Sequence, residues 1–309
     1  MGRYVARRLL QMIPVFIGST FLIFSMMFAL PGDPVRALAG EQNYDPAVVD
    51  SIRKQLGLDQ PLLIQYWNYL TNLVQGDFGI QIASKRPIAD IIAEAFPVTI
   101  RLTLFAFAFT VLVGIGLGVI AGLKPNSMRD KSLLTLTLVL ISMPSFVLGY
   151  LMQYVFAFQL GLVTPTVQDS ESFGDLFLPA IVLGSLSLAY VARLTRTSMA
   201  ENLRADYMRT AVAKGLPRRR IIGVHLLRNS LVPVVTFLGT DIGTLMTGAI
   251  VTEGIFNVKG VGYTIFDALI RREGATVVGI ASLIVLVYLL MSLLVDLLYA
   301  VLDPRIRYA

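Results

Sequence analysis

The sequence predicts an all-α, polytopic membrane protein: six transmembrane helices, both termini cytoplasmic, and a helical extracytoplasmic insertion between the first two spans. Three observations carry this expectation. Of the 309 residues, 55% are hydrophobic and only 15% charged. Apolar runs long enough for a bilayer core, about 20 residues each, recur along the chain. Lys and Arg gather at alternate run ends. The mean hydropathy of +0.71 lies outside the soluble globular range.

The spans read in order at about 9–30, 98–123, 132–160, 176–192, 231–252 and 276–301 of a single transmembrane domain covering 1–309. The first carries no charge. Arg7-Arg8 precede it, and "ALAG" at Ala37–Gly40 has the small-residue spacing of a cleavage site. Its 22 uncharged residues exceed a signal-peptide core and Pro34 and Arg36 crowd that site, so an uncleaved anchor is expected.

Residues 31–97 form the extracytoplasmic insertion. Asp45-Pro46 reads as a helix start, with Val48, Val49, Ile52 and Leu56 at helical spacing and Gly57 as the stop. A second helix is expected from Pro61 to Gln75, ended by Gly76 and carrying "QYWNY" with the sole tryptophan, Trp67. Aromatics of this kind favour an interfacial or packing role for Tyr66, Trp67 and Tyr69 over direct contact with an external partner.

In the second span Gly114, Gly118 and Gly122 recur every fourth residue, which clears one helix face for close packing. "GIGLG" there follows no strand, so it is no nucleotide loop. Pro144 predicts a kink in the third span. The fifth span holds Asp241 near the bilayer midplane, where a carboxylate must face protein or water. A pathway role for Asp241 and Thr244 and a hydrogen bond from Asp241 to a neighbouring Ser or Thr both remain open. Asp296, near the inner end of the last span, needs no special role.

Orientation follows from the basic residues. With the N-terminus inside, seventeen Lys and Arg fall on the cytoplasmic side against eight outside. Nine of the seventeen lie in the segment 193–229, whose punctuation predicts more than a charged loop. Met208, Ala211, Val212 and Gly215 follow i, i+3, i+4, i+7, Gly215 ends that helix, and Pro217 begins another with Ile221, Ile222 and Val224 on its apolar face. Arg218, Arg219 and Arg220 would sit in a first turn, where the helix dipole disfavours cations. Membrane lipid phosphate or an acidic partner groove must favour them.

The chemistry classes narrow quickly. With no cysteine there is no disulfide frame, Cys-bound zinc or thiol catalysis. His225 is the sole histidine and lies in the basic segment, so an intramembrane hydrolase lacks its base, and no H-E-x-x-H motif occurs. No metal site and no cofactor are expected in this chain, and its basic residues point to a membrane rather than to nucleic acid. No G-x-x-x-x-G-K-[ST] occurs, so energy for uphill transport would come from another subunit. One midplane acid and no evident duplicated half make a poor stand-alone secondary carrier.

"DYMRTAVAKGL" at Asp206–Leu216 and "HLLRNSLVPVV" at His225–Val235 resemble the cytoplasmic EAA coupling loop of bacterial ABC-importer permeases, in the subfamily for dipeptides, oligopeptides, glutathione and nickel. The resemblance covers nearly the whole chain, through "LPGDP" at Leu30–Pro34, "QLGLDQPL" at Gln55–Leu62, "GDFG" at Gly76–Gly79, "LPAIVLG" at Leu178–Gly184, "GAIVTEGIF" at Gly248–Phe256 and "DLLYAVLDPRIRY" at Asp296–Tyr308. It implies a non-catalytic transport subunit of the inner membrane, forming half of a translocation pathway for short peptides. A nickel or other small-solute importer is the alternative, and no cluster of acids or histidines marks a nickel path.

The resemblance also implies the site and the partners. Tyr207, Thr210, Ala211, Ala213, Lys214, Gly215, Leu216 and Arg218 would couple to the ATPase, with His225, Arg228 and Asn229 as support. The family's Glu-Ala-Ala opening is here Arg209-Thr210-Ala211. A paralogous permease would complete the pathway, and two ATP-binding subunits would hold ATP and Mg2+. An extracytoplasmic substrate-binding protein would dock on the outer insertion and the Glu253–Arg272 loop.

Overall fold

The computed structural model describes residues 2–28, 54, 59–81 and 83–302. In chain order the elements are α1 (Gly2–Phe28), α2 (Leu62–Val74), α3 (Ile88–Gly122), α4 (Met128–Ser142), α5 (Ser145–Gln159) and α6 (Phe173–Asn202). They continue as α7 (Asp206–Ala213), α8 (218–230), α9 (Val232–Phe256), α10 (Val261–Ile270) and α11 (Gly274–Leu302). Among the described residues the only strand pairing is a lone bridge between Ile80 and Pro87. The proposed helix from Asp45 to Gly57, Lys54 apart, and the C-terminal "DPRIRY" lie outside the described residues.

Among the described residues five helices are long and apolar enough to cross a membrane: α1, α3, α6, α9 and α11. A sixth span results if α4 and α5 count as one, but the two meet at a bend of 108°. Pro144 therefore breaks this run where a kink is expected. The cause is local: proline disfavours helical geometry in the residue before it, and Met143 is extended at φ −95°, ψ 129°. Pro14, Pro97 and Pro179 are held within continuous helices.

α3 and α6 outrun their apolar runs the furthest, by about ten residues each. α3 starts at Ile88, ten residues before the run that predicts it, and α6 extends from Phe173 to Asn202, well past Ala192. Counting stops at the first charge, whereas a helix continues wherever its charged residues find partners or water. In α6 the first charge after the run is Arg193, and Arg196, three residues on, is paired with Asp130. The Glu253–Arg272 loop likewise contains α10, ended by Arg272 at φ +59°.

The chain forms two compact units. The first comprises Met1–Thr99 with Lys259–Ala309. In it α1 packs along α11, and Arg8 Nη2 reaches Asp296 Oδ1 at 2.8 Å, giving that carboxylate a partner. α2 rests on both helices through Tyr66 and Tyr69. It ends at Gly76, φ +84°, with Gly76 N bonded to Leu73 O and Asp77 N to Asn72 O, a left-handed cap that glycine adopts without strain. The segment that follows is held to α11: Gln81 Nε2 donates to the buried Glu273 Oε2 at 2.8 Å.

The second unit is Ile100–Val258, centred on α6. α6 packs against α3, α4, α5 and α9. Sixteen of its 30 residues are buried, so it carries the core of the unit. Thr110, in a π-helical turn of α3, donates from Oγ1 to Gly184 O at 3.1 Å, so the helices nearly touch there.

Candidate functional site

The basic segment is a two-helix elbow that hangs from the end of α6. The chain leaves α6 at Asn202, turns through Leu203–Ala205 and enters α7, whose Tyr207 hydroxyl donates to Asn202 Oδ1 at 2.6 Å. α7 closes with Gly215 at φ +70°, where Gly215 N bonds Val212 O at 2.9 Å and Leu216 N bonds Ala211 O at 3.3 Å. These paired bonds form a Schellman cap, and Leu216 completes it by packing near Ala211. Pro217 then starts α8, which widens to π-helical geometry over Ile221–Leu226.

One side of the elbow is a small core. Met208 and Ala211 of α7 and Ile221 and Leu226 of α8 are buried together with Met199 of α6. Val119 of α3 and Leu123 just beyond its end pack against this cluster. The elbow is thus fastened by apolar burial to two long helices of its unit, and Ser230 Oγ adds a bond to Ser198 O at 3.4 Å.

The other side is open. Thr210, Val212, Ala213, Lys214, Gly215 and Arg218 are exposed, Val212 by 63%. A cavity of about 700 Å³ opens between the two short helices, with Met208, Val212, Leu216 and Ile221 on its walls and Arg209 and Arg218 at its rim. Such a cleft accepts an apolar side chain flanked by acidic groups. His225 is half-buried, Arg228 and Asn229 are exposed, and Asn229 Nδ2 caps His225 O at 3.1 Å.

The remaining site residues fall elsewhere in the same unit. Asp241 is 4% exposed and accepts from Ser187 Oγ at 2.8 Å, which joins α9 to α6. Its Oδ2 has no partner among the described residues. Thr244, one turn on, is exposed. Arg101 reaches Glu171 at 3.4 Å. Gly114, Gly118 and Gly122 all face α6, where an added Cβ would meet Val191, Thr195 and Met199. Among the described residues no group of three or more His, Asp or Glu is placed to hold a metal ion.

Asp130 and Arg196 escape a reading by local motif, because 66 residues separate them. The signal available in the sequence is Ser127 three residues before Asp130, the spacing of a helix cap. That cap forms: Asp130 N donates to Ser127 Oγ at 3.4 Å, and Asn126 N donates to Asp130 Oδ2 at 2.7 Å.

The membrane-length helices and the basic elbow describe a polytopic membrane protein, and comparison with known proteins makes the class definite. Residues 114–308 match the family described as binding-protein-dependent transport system inner membrane component, and residues 1–103 match its N-terminal companion. The chain belongs to this family and is a multi-pass component of the bacterial inner membrane. It is similar to the glutathione transport system permease protein GsiC of Escherichia coli (strain K12), 41% identical over 308 residues and covering 100% of both chains. The GsiC proteins of Shigella dysenteriae serotype 1 (strain Sd197) and Shigella flexneri serotype 5b (strain 8401) match to the same extent.

Proposed function

We propose that this chain is one half of the translocation pathway of an ATP-driven importer for short peptides, glutathione among them. Similarity to the GsiC permeases over the full length of both chains supports that cargo class. A paralogous permease supplies the other half, two ATPase subunits bind ATP and Mg2+ on the cytoplasmic side, and an extracytoplasmic binding protein delivers cargo. The chain itself performs no bond chemistry.

The observation that carries the coupling role is the two-sidedness of the elbow. Met208 and Ala211 anchor α7 to the long helices, while Thr210, Ala213, Lys214 and Gly215 stay uncovered. Small uncovered residues on an anchored helix let it enter a groove of an ATPase and pass that subunit's motion to α6 and α3. Arg209 and Arg218 at the cavity rim favour acidic residues in that groove.

Because the chain has no cysteine, Ala213→Cys introduces a single thiol. Oxidation of the assembled transporter carrying scanned cysteines in the ATPase cleft is expected to crosslink the two subunits in a nucleotide-dependent way. Absence of crosslinking at every cleft position, with the thiol still freely labelled in the complex, overturns the assignment. Uptake of labelled glutathione against labelled dipeptides by vesicles holding the full importer decides the cargo.

A further inference from the structure

We propose that α2 is an interfacial helix whose Leu63, Trp67 and Val74 edge lies among lipid acyl chains, in the leaflet that meets the C-terminal end of α1.

At about 100° per residue, α2 divides into three faces. Leu62, Tyr66 and Tyr69 pack on α1 and α11. Gln65, Asn68 and Asn72 form a polar face. Between them runs an apolar edge with Leu63 67%, Trp67 64% and Val74 82% exposed. None of the thirteen residues is charged. The nearest charges, Asp59 and Asp77, stand beyond its two ends.

Depth comes from two independent helices. Tyr66 OH donates to Ile17 O at 2.9 Å and lies 2.9 Å from Thr20 Oγ1. Ile17 is roughly 16 Å along the axis of α1 from Phe28, the last residue described there. Tyr69 OH donates to Ser282 Oγ at 2.8 Å, roughly 12 Å along α11 from Gly274. In a hydrocarbon core of roughly 30 Å, both hydroxyls reach toward the middle. A tyrosine ring is too short to do so from a helix resting above the membrane, so the backbone of α2 is itself sunk below the surface.

The polar side chains suit a boundary poor in water. Gln65 Nε2 donates to Gln60 O at 2.7 Å, Asn68 Nδ2 to Gln60 Oε1 at 3.1 Å and Thr71 Oγ1 to Asn68 O at 2.8 Å. Each of these three side chains places one donor within the segment, which lowers the cost of a boundary poor in water. α1 exposes Leu22 and Met26 between the level of Ile17 and Phe28, an apolar surface of the same kind. A helix of this kind sinks its apolar edge several ångströms into the headgroup and acyl boundary, where tryptophan is enriched.

The chain lacks cysteine, so Trp67→Cys and Asn72→Cys each carry one nitroxide label. The full chain is labelled, reassembled with its partner subunits in phosphatidylcholine vesicles, and its collision rates with oxygen and with a water-soluble nickel chelate are measured. At position 67 oxygen is expected to dominate several-fold, and at position 72 the chelate. Equal access of the chelate to both positions overturns the proposal in favour of a helix lying in water. Exclusion of both reagents from position 67 overturns it in favour of a protein partner. Leu63→Cys reports the same edge if Trp67→Cys fails to insert.

Discussion

Arg196 holds Asp130 with two hydrogen bonds, Nε to Oδ1 at 2.7 Å and Nη2 to Oδ2 at 2.6 Å, and the carboxylate side chain is 1% exposed. The fork ties the start of α4 to α6, 66 residues later in the chain. Removing the guanidinium leaves a buried, uncompensated charge, which costs about 3–5 kcal/mol. Arg196→Ala is therefore expected to lower the melting temperature of the detergent-purified chain sharply. Arg196→Lys is expected to restore only part of the loss, since an ammonium cannot bond both oxygens in the same fork. A melt unchanged in Arg196→Ala contradicts this.

Neighbouring glycines of α3 differ in what they meet. A Cβ on Gly118 would lie 2.5 Å from Thr195 Cβ and 2.6 Å from Ala192 O, whereas one on Gly116 meets nothing within 4 Å. Gly118→Ala is expected to destabilise by about 1–3 kcal/mol through overpacking. Gly116→Ala is expected to be neutral or to stabilise by up to about 1 kcal/mol, from helix propensity. Thermal unfolding of the two variants side by side provides the measurement, and equal behaviour contradicts the packing described.

Ser187 Oγ donates to Asp241 Oδ1 at 2.8 Å. Its loss leaves both carboxyl oxygens without a partner, an expected cost of about 1–3 kcal/mol. Ser187→Ala is expected to destabilise the chain, and Asp241→Leu is expected to be less harmful in the Ser187→Ala background than alone. A double-mutant cycle on melting temperature measures the coupling; additive effects exclude it.

Gly215 has nothing within 4 Å of an added Cβ, so substitution there acts through backbone conformation alone. A side chain at φ +70° costs roughly 1–2 kcal/mol, least for asparagine. Gly215→Val is expected to insert and assemble normally yet lose uptake while ATP hydrolysis by the partner subunits persists. Gly215→Asn is expected to retain most uptake. Parallel assays of uptake and ATPase in vesicles test both; full uptake by Gly215→Val argues against a role for this turn in coupling.

Periodicity and punctuation made much of the fold legible. Long apolar runs mark α1, α9 and α11, and Pro61 and Gly76 bracket α2 because a proline and a left-handed glycine are local signals. What a single sequence hides is pairing at a distance. Arg193 and Arg196 look like the end of a span until Asp130 is seen beside Arg196. Asp296 looks idle until Arg8 meets it. The spacing of Gly114, Gly118 and Gly122 is visible, but not that Val191, Thr195 and Met199 lie against it. The severity of the turn at Pro144 depends on the packing of the two arms around it, which no local rule encodes. At the elbow the small residues and the cap at Gly215 are local, whereas the buried seat under Met208 and Ala211 needs Met199 from another helix.

α6 runs unbroken for 30 residues, roughly 45 Å, and Met199 near its tip sits inside the cluster that seats the elbow. A rod of that length is a lever. Tilting it by about ten degrees swings one tip by roughly 8 Å relative to the other, a distance comparable to the width of a small peptide. In the proposed coupling role, torque applied at Met199 would reach Phe173 as a stroke of that size, carried by a helix that stays continuous through Pro179.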